Sequence, residues 1–328
     1  MYSVVVPVYR NAESLPELVH ALAEVDRVIR ERFGTPLEAV FVVDASPDES
    51  HELLEHLLPA APFSSKLVLH ARNFGSFAAI RTGLKTATGP FFSMVAADLQ
   101  EPPELLISFL ASLVTNESDI VVGTRIARDD PLASRVFADL FWRFYRAVVM
   151  PEIPVGGVDL FGCNEEVRNE LLRLEEANSS LVGLVFWLGF RRKEISYERR
   201  ARKYGNSAWT FRKKFKYLVD STFAFTDLPI RLLTLFGAVG VVISAIFGLI
   251  VLGARLLGEI NAPGYTAIVL TVMFFGALNM MGIGIIGAYV WRSYENSKCR
   301  PLAVVRQFRT FAGSEDAAAG QEFRRQVR

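Results

Sequence analysis

The chain has 328 residues, 36 basic against 35 acidic for a formal net charge of +1, 51% hydrophobic residues and a mean hydropathy of +0.27. Such apolar content excludes a disordered chain, and the balanced charge argues against a general nucleic-acid binder, which carries a strong basic excess. Two cysteines, Cys163 and Cys299, are too few for a disulfide framework and favour a reduced compartment. The neutral sum is a cancellation: residues 1–130 carry 10 basic and 18 acidic groups, 131–231 carry 17 and 12, and 232–328 carry 9 and 5.

The run Ser3-Val4-Val5-Val6-Pro7-Val8 reads as a buried strand and not as a secretory signal. Strands are predicted at 4–8, 39–43, 66–70, 91–96 and 119–123, alternating with helices at 14–32, 48–58 and 76–86. This alternation predicts an α/β layer on a largely parallel sheet, with ligands beyond the carboxyl ends of the strands. Three polar clusters fall there: Pro7-Val8-Tyr9-Arg10-Asn11, Asp44-Ala45-Ser46-Pro47-Asp48 and Asp98-Leu99-Gln100-Glu101. Asp44, directly after an apolar strand, suits a base or ribose, whereas Ser46 and Asp48 fit turn chemistry equally well. Asp98 and Gln100, two apart on an extended segment, offer a carboxylate and an amide oxygen to Mg²⁺ or Mn²⁺. Pro102-Pro103 then permits a new helix from Glu104.

Between 134 and 150, Phe137, Leu140, Phe141, Phe144, Tyr145 and Val148 form one helical stripe, either packed on the core or lying on a bilayer. Residues 191–216 hold 11 basic and 2 acidic side chains interleaved with aromatics, a composition suited to an anionic lipid interface. Two uncharged stretches follow, 232–254 and 266–290. At about 1.5 Å per residue each exceeds a hydrocarbon core of about 30 Å, which predicts a transmembrane hairpin. Basic residues outside it, Arg231, Arg292, Lys298 and Arg300 among them, place both ends in the cytoplasm. The tail from about 311 reads as poorly ordered.

The motifs S-V-V-V-P-V-Y, V-D-A-S-P-D, R-N-F-G at 72–75 and A-D-L-Q-E-P-P-E-L at 97–105 resemble a family 2 glycosyltransferase with a GT-A, Rossmann-like fold, specifically the polyprenyl-phosphate glycosyltransferases. The likeness covers roughly 1–292. It implies inverting transfer of a sugar from a nucleotide-sugar donor to a polyprenyl (undecaprenyl) phosphate acceptor at the inner membrane, for cell-envelope glycan or lipid-linked sugar synthesis. The implied domains are a nucleotide-sugar-binding core at 1–130, an acceptor-side segment at 131–230, the hairpin at 231–292 and a cytoplasmic tail at 293–328. Implied partners are membrane lipids, further copies of the chain and a flippase, with no nucleic acid.

The resemblance assigns Pro7, Tyr9, Asp44, Arg72 and Asp98 to the donor, and Asp98 with Gln100 to the metal. Arg125, Arg128, Arg202, Lys203 and Ser207 fall to the acceptor phosphate, with Asp98, Arg125 and Arg202 central to catalysis. The chain departs from the family at Ala96, where the metal motif usually has a first carboxylate, and at Ala208, where a Lys is usual. Ala96 leaves a catalytically degenerate membrane scaffold as one alternative. A processive polysaccharide synthase is another, although the chain lacks that group's Q-x-x-R-W motif.

Overall fold

A computed structural model describes residues 1–125, 143, 145–154, 157–176, 178–201, 203–204, 211–257 and 264–313. The chain divides into two compact units, Met1–Lys214 with Pro301–Arg328, and Phe215–Arg300.

The first unit is built on one eight-stranded sheet. Its strands are β1 (Tyr2–Val8), β2 (Leu37–Val43), β3 (Ser64–His70), β4 (Phe91–Met94), β5 (Ile120–Arg125), β6 (Val158–Asn164), β7 (Arg192–Tyr197) and β8 (Val305–Phe311), in the order β7-β5-β6-β4-β1-β2-β3-β8. β1 pairs in parallel with β2 and β4, β2 with β3, and β5 with β7. β6 runs antiparallel between β4 and β5, and β8 antiparallel along β3. The sheet is therefore mixed, and three of its strands come from beyond residue 130.

The central strands are Val-rich because both faces are covered: every residue of β2 is buried, and all of β1 except the half-buried Pro7. Glu38, inside β2, is tolerated because Ser3, Thr88 and Lys66 all bond its carboxylate. Helix α1 (Leu15–Phe33) buries the stripe Leu15, Leu18, Leu22, Val25 and Ile29, starts with Pro16 in its first turn and stops at Gly34 in the left-handed region. Helices α2 (Ser50–Leu57), α3 (Ser76–Thr86) and α4 (Glu104–Val114) follow β2, β3 and β4. Of the segment expected as an amphipathic helix at 134–150, only the end is described; there Tyr145, Val149 and Met150 are buried, as in a helix packed on the core.

In the second unit, helices Leu228–Leu256 and Tyr265–Ser297 contain the two predicted apolar stretches. They approach closely where Gly282 meets Leu233 and Gly240 meets Phe275. Among the described residues one helix, Thr271–Ser297, is long and apolar enough to cross a membrane. A pair bent by 78°, Lys216–Phe225 with Leu228–Gly240, makes a second if taken as one span.

The packing of α3 on the sheet depends on Gly83, where a Cβ would stand 2.2 Å from Val5 Cγ1. Gly83→Ala is expected to lower stability by about 1–3 kcal/mol through overpacking, read as a lower denaturation midpoint of the purified protein. An unchanged midpoint would show that this interface yields freely.

Candidate active site

The loops that follow β1, β2 and β4 meet at the carboxyl edge of the parallel strands. Each turns through a non-glycine residue in the left-handed region: Arg10 (φ 59°), Ala45 (φ 48°) and Leu99 (φ 57°). Such conformations are costly and persist where surrounding structure holds them. Here hydrogen bonds do so. The Arg10 amide donates to Ser46 Oγ at 2.7 Å, the Ala12 amide to Asp48 Oδ2 at 3.0 Å, and Ser14 Oγ to the Ala97 carbonyl at 2.6 Å. Ser46 and Asp48 thus serve turn chemistry, since Ser46 Oγ also donates to Asp48 Oδ1.

Asp44 is 3% exposed and accepts from three donors. Its Oδ1 takes His70 Nδ1 at 2.8 Å and the Phe74 amide at 2.9 Å, and its Oδ2 takes the Gly75 amide at 2.7 Å. Burial pushes this carboxyl up, but the His70 ring and the two amides outweigh it and hold it below its ordinary range. Asp44 therefore pins the 72–75 loop. Gly75 needs its freedom there, at φ 96° ahead of α3. Arg72, at the head of that loop, stacks on the Phe74 ring at 4.3 Å. Pro7 stands in β1 opposite Val42, and Tyr9 is exposed just beyond β1.

The turn 98–101 is clamped to the segment after β7. The Gln100 carbonyl accepts from the Arg200 amide at 2.8 Å, and Gln100 Oε1 accepts from Arg199 Nη2 at 2.8 Å. Glu101 is 2% exposed, with Oε1 3.6 Å from Arg199 Nε and a buried Oε2 without a hydrogen-bond partner. Burial and then the charge of Asp98 push its pKa up to about 7, with Arg199 pulling back.

Arg125, at the end of β5, makes a two-pronged ion pair with Asp159 of β6, and Tyr197 Oη donates to Asp159 Oδ2 at 2.9 Å. Burial would lower the Arg125 pKa, yet the Asp159 carboxylate raises it above its ordinary value. Lys203 Nζ and Tyr204 Oη both donate to Glu17 Oε2 of α1, at 2.7 and 3.1 Å. Arg128, Arg202 and Ser207 lie outside the described residues.

A divalent cation suits part of this set. Asp98 with the orphaned Glu101 oxygen fits a cation of the kind held by one or two carboxylates and substrate phosphates. Gln100 does not fit as arranged, because its amide oxygen is taken by Arg199. Among the described residues no group of three or more His, Cys, Asp or Glu side chains forms a complete metal cage.

The structure thus brings Asp98, Gln100 and the segment leading to Lys203 together, and joins Asp44 to the Arg72 loop. Sequence reasoning missed Asp159, Tyr197, Glu101 and Arg199. Glu101 stood in the Asp98 motif without a role, while Asp159 and Tyr197 sit on strands that were not predicted. His70, the last residue of β3, anchors Asp44 and carries no motif of its own.

Asp44→Ala is expected to cost about 2–4 kcal/mol, since it leaves buried donors unmatched. The Phe74 and Gly75 amides should exchange with solvent faster in the variant. The carboxyl's depressed pKa makes its contribution complete above the ordinary Asp range and lost as pH falls through the lower folded value, so the variant's stability should fall less in acid. Unchanged amide exchange would contradict this anchoring role.

The glycosyl transferase family 2 profile matches residues 3–175. An uncharacterized glycosyltransferase of Bacillus subtilis, YkcC, is 30% identical over 93% of both chains. An undecaprenyl-phosphate 4-deoxy-4-formamido-L-arabinose transferase of Pectobacterium atrosepticum is 30% identical over 93% of this chain and 92% of its own. The bactoprenol glucosyl transferase of Shigella phage SfV is 27% identical over 93% and 97%. Among solved structures, a Pyrobaculum calidifontis mannosyltransferase aligns with 90% of this chain and 87% of its own at 18% identity and a TM-score of 0.44, too low to carry an argument. With the family profile across more than half its length and relatives at 30% identity matched almost end to end, the chain belongs to glycosyl transferase family 2 and is a glycosyltransferase.

Proposed function

We propose that this enzyme transfers a sugar from a nucleotide-sugar to a polyprenyl phosphate at the cytoplasmic face of a membrane, with inversion at the anomeric carbon. The observation that carries this reading is the extent of the likeness to transferases named for bactoprenol and undecaprenyl phosphate, 93% of this chain in each case. Too little of the chain is left over for those matches to omit helices of 29 and 33 residues. On this reading the two helices form a membrane hairpin with both ends on the cytoplasmic side, where Arg231, Arg292, Lys298 and Arg300 collect.

Residues 1–130 form the donor side and 131–230 the acceptor side. Pro7, Tyr9 and Arg72 surround the donor, and Asp44 keeps the 72–75 loop in place beneath it. Mg²⁺ or Mn²⁺ bound at Asp98 would supply positive charge opposite the departing diphosphate. The attacking group is a phosphate monoester oxygen, whose second pKa near ~6 leaves it ionised at neutral pH, so the chain need not supply a general base. Its task is to align that oxygen with C1 of the sugar and to balance charge. Arg125, Arg128, Arg202, Lys203 and Ser207 hold the acceptor phosphate, with Asp159 and Tyr197 fixing the Arg125 guanidinium.

Incubating the purified enzyme with undecaprenyl phosphate, a divalent cation and each of a panel of nucleotide-sugars should give one glycolipid, detected by mass spectrometry. Asp98→Asn should slow its formation by about 10²–10³-fold while the protein remains folded. No glycolipid from any donor would overturn the reading, and full activity of Asp98→Asn would overturn the role given to that carboxylate.

A further inference from the structure

We infer that Arg306 and Gln307, on the strand that returns to the sheet after the second apolar helix, select the nucleobase of the donor. The inference rests on the nucleotide-sugar reading above and adds to it a part of the chain remote in sequence from every donor motif.

A pocket of about 360 Å³ lies at the carboxyl ends of β2 and β3, within the roughly 300–1,000 Å³ of small-molecule sites. Ala45, Ser46 and Asp48 line it from the loop after β2, Leu69 and His70 from β3 with Ala71 just beyond it, His51 and Glu52 from α2, and Arg306 with Gln307 from β8. It thus lies beside Asp44 and the loop that Asp44 anchors, where a parallel sheet binds its ligand.

Two features aim β8 at this pocket. The pairing with β3 is broken by a bulge: Leu69 stands opposite Gln307 and His70 opposite Val305, so Arg306 is the extra residue without a partner on β3. Bulges of this kind redirect a side chain and occur next to active sites. The strand is also braced at the same place. Gln307 Nε2 donates to Glu55 Oε1 of α2 at 3.2 Å, and Arg309 Nη1 pairs with the same oxygen at 3.1 Å. Arg306, by contrast, is exposed and makes no hydrogen bond or ion pair among the described residues. Across the pocket, the buried His51 Nε2 has no hydrogen-bond partner either.

The lining fits a neutral ring with donor and acceptor edges better than a diphosphate. Asp48 and Glu52 repel an anion, and a single arginine faces them. The Arg306 guanidinium, the Gln307 amide oxygen and the His51 imidazole nitrogen together can read the edge of a base. Discrimination of this kind is large where a site is built to hydrogen-bond its ligand, because the wrong ligand leaves polar groups unpaired.

The test is calorimetric titration of the full-length protein with UDP, CDP, GDP, ADP and inorganic pyrophosphate. The parent protein should prefer one nucleoside diphosphate. Arg306→Ala and Gln307→Ala should each weaken that preferred nucleotide about tenfold and narrow the spread among the four, with pyrophosphate unchanged. Arg309→Ala, which loosens β8 without touching the pocket, should bind as the parent does. The inference is overturned if both pocket variants keep parental affinities, if pyrophosphate weakens with the nucleotides, or if Arg309→Ala loses as much as Arg306→Ala. A parent protein that binds no nucleotide would instead overturn the donor reading and take this inference with it.

Discussion

Gln100 holds together two stretches of chain a hundred residues apart, and the chemistry assigned to this enzyme depends on that contact. Its carbonyl and its side-chain oxygen accept from Arg200 and Arg199, and its amide nitrogen donates to the Arg200 carbonyl. The turn carrying Asp98 is thereby fastened to the segment that leads through Lys203 into the most basic part of the chain. On the function proposed above, a donor side and an acceptor side built on separate strands need such a tie, because transfer between two bound molecules gains its rate from their alignment. On the 98–101 side the clamp is buried, Gln100 being 9% exposed, so the bonds that Gln100 makes are costly to break.

Around the clamp, buried and half-buried carboxylates are matched by particular donors. Asp44 has His70 and two amides, and Asp159 has Arg125 and Tyr197. Glu101 is the exception: it faces Arg199 at a distance and shares its surroundings with Asp98. Two acids close together with one orphaned oxygen form a site that gains from added positive charge, consistent with a cation arriving with the donor.

The central strands were legible because strands buried on both faces are mostly apolar, and β1, β2 and β4 are, apart from Ser3, Glu38 and Ser93. β7 was hidden for the opposite reason. Its sequence, Arg-Lys-Glu-Ile-Ser-Tyr, lies at the sheet edge, where charge protects against unwanted pairing, and so it reads as part of a charge run. β8 was hidden by distance, since its partner β3 precedes it by more than two hundred residues and two long apolar helices intervene. At the site, the Asp98 motif was visible as spacing, but the same spacing made Gln100 look like a metal ligand. Only the return of Arg199, on the segment after β7, shows where that amide oxygen is spent. The left-handed turns at Arg10, Ala45 and Leu99 left no glycine to announce them.

The central claim is that the acceptor phosphate meets the donor at the clamp between 98–101 and 197–204. A polyprenyl phosphate analogue with a photoreactive group beside its phosphate, irradiated on the membrane-embedded enzyme and mapped by peptide sequencing, tests this directly. The account predicts label in residues 98–104, at Arg125 or in 197–204, reduced by unmodified polyprenyl phosphate. Label confined to the apolar helices Leu228–Leu256 and Tyr265–Ser297 would contradict it.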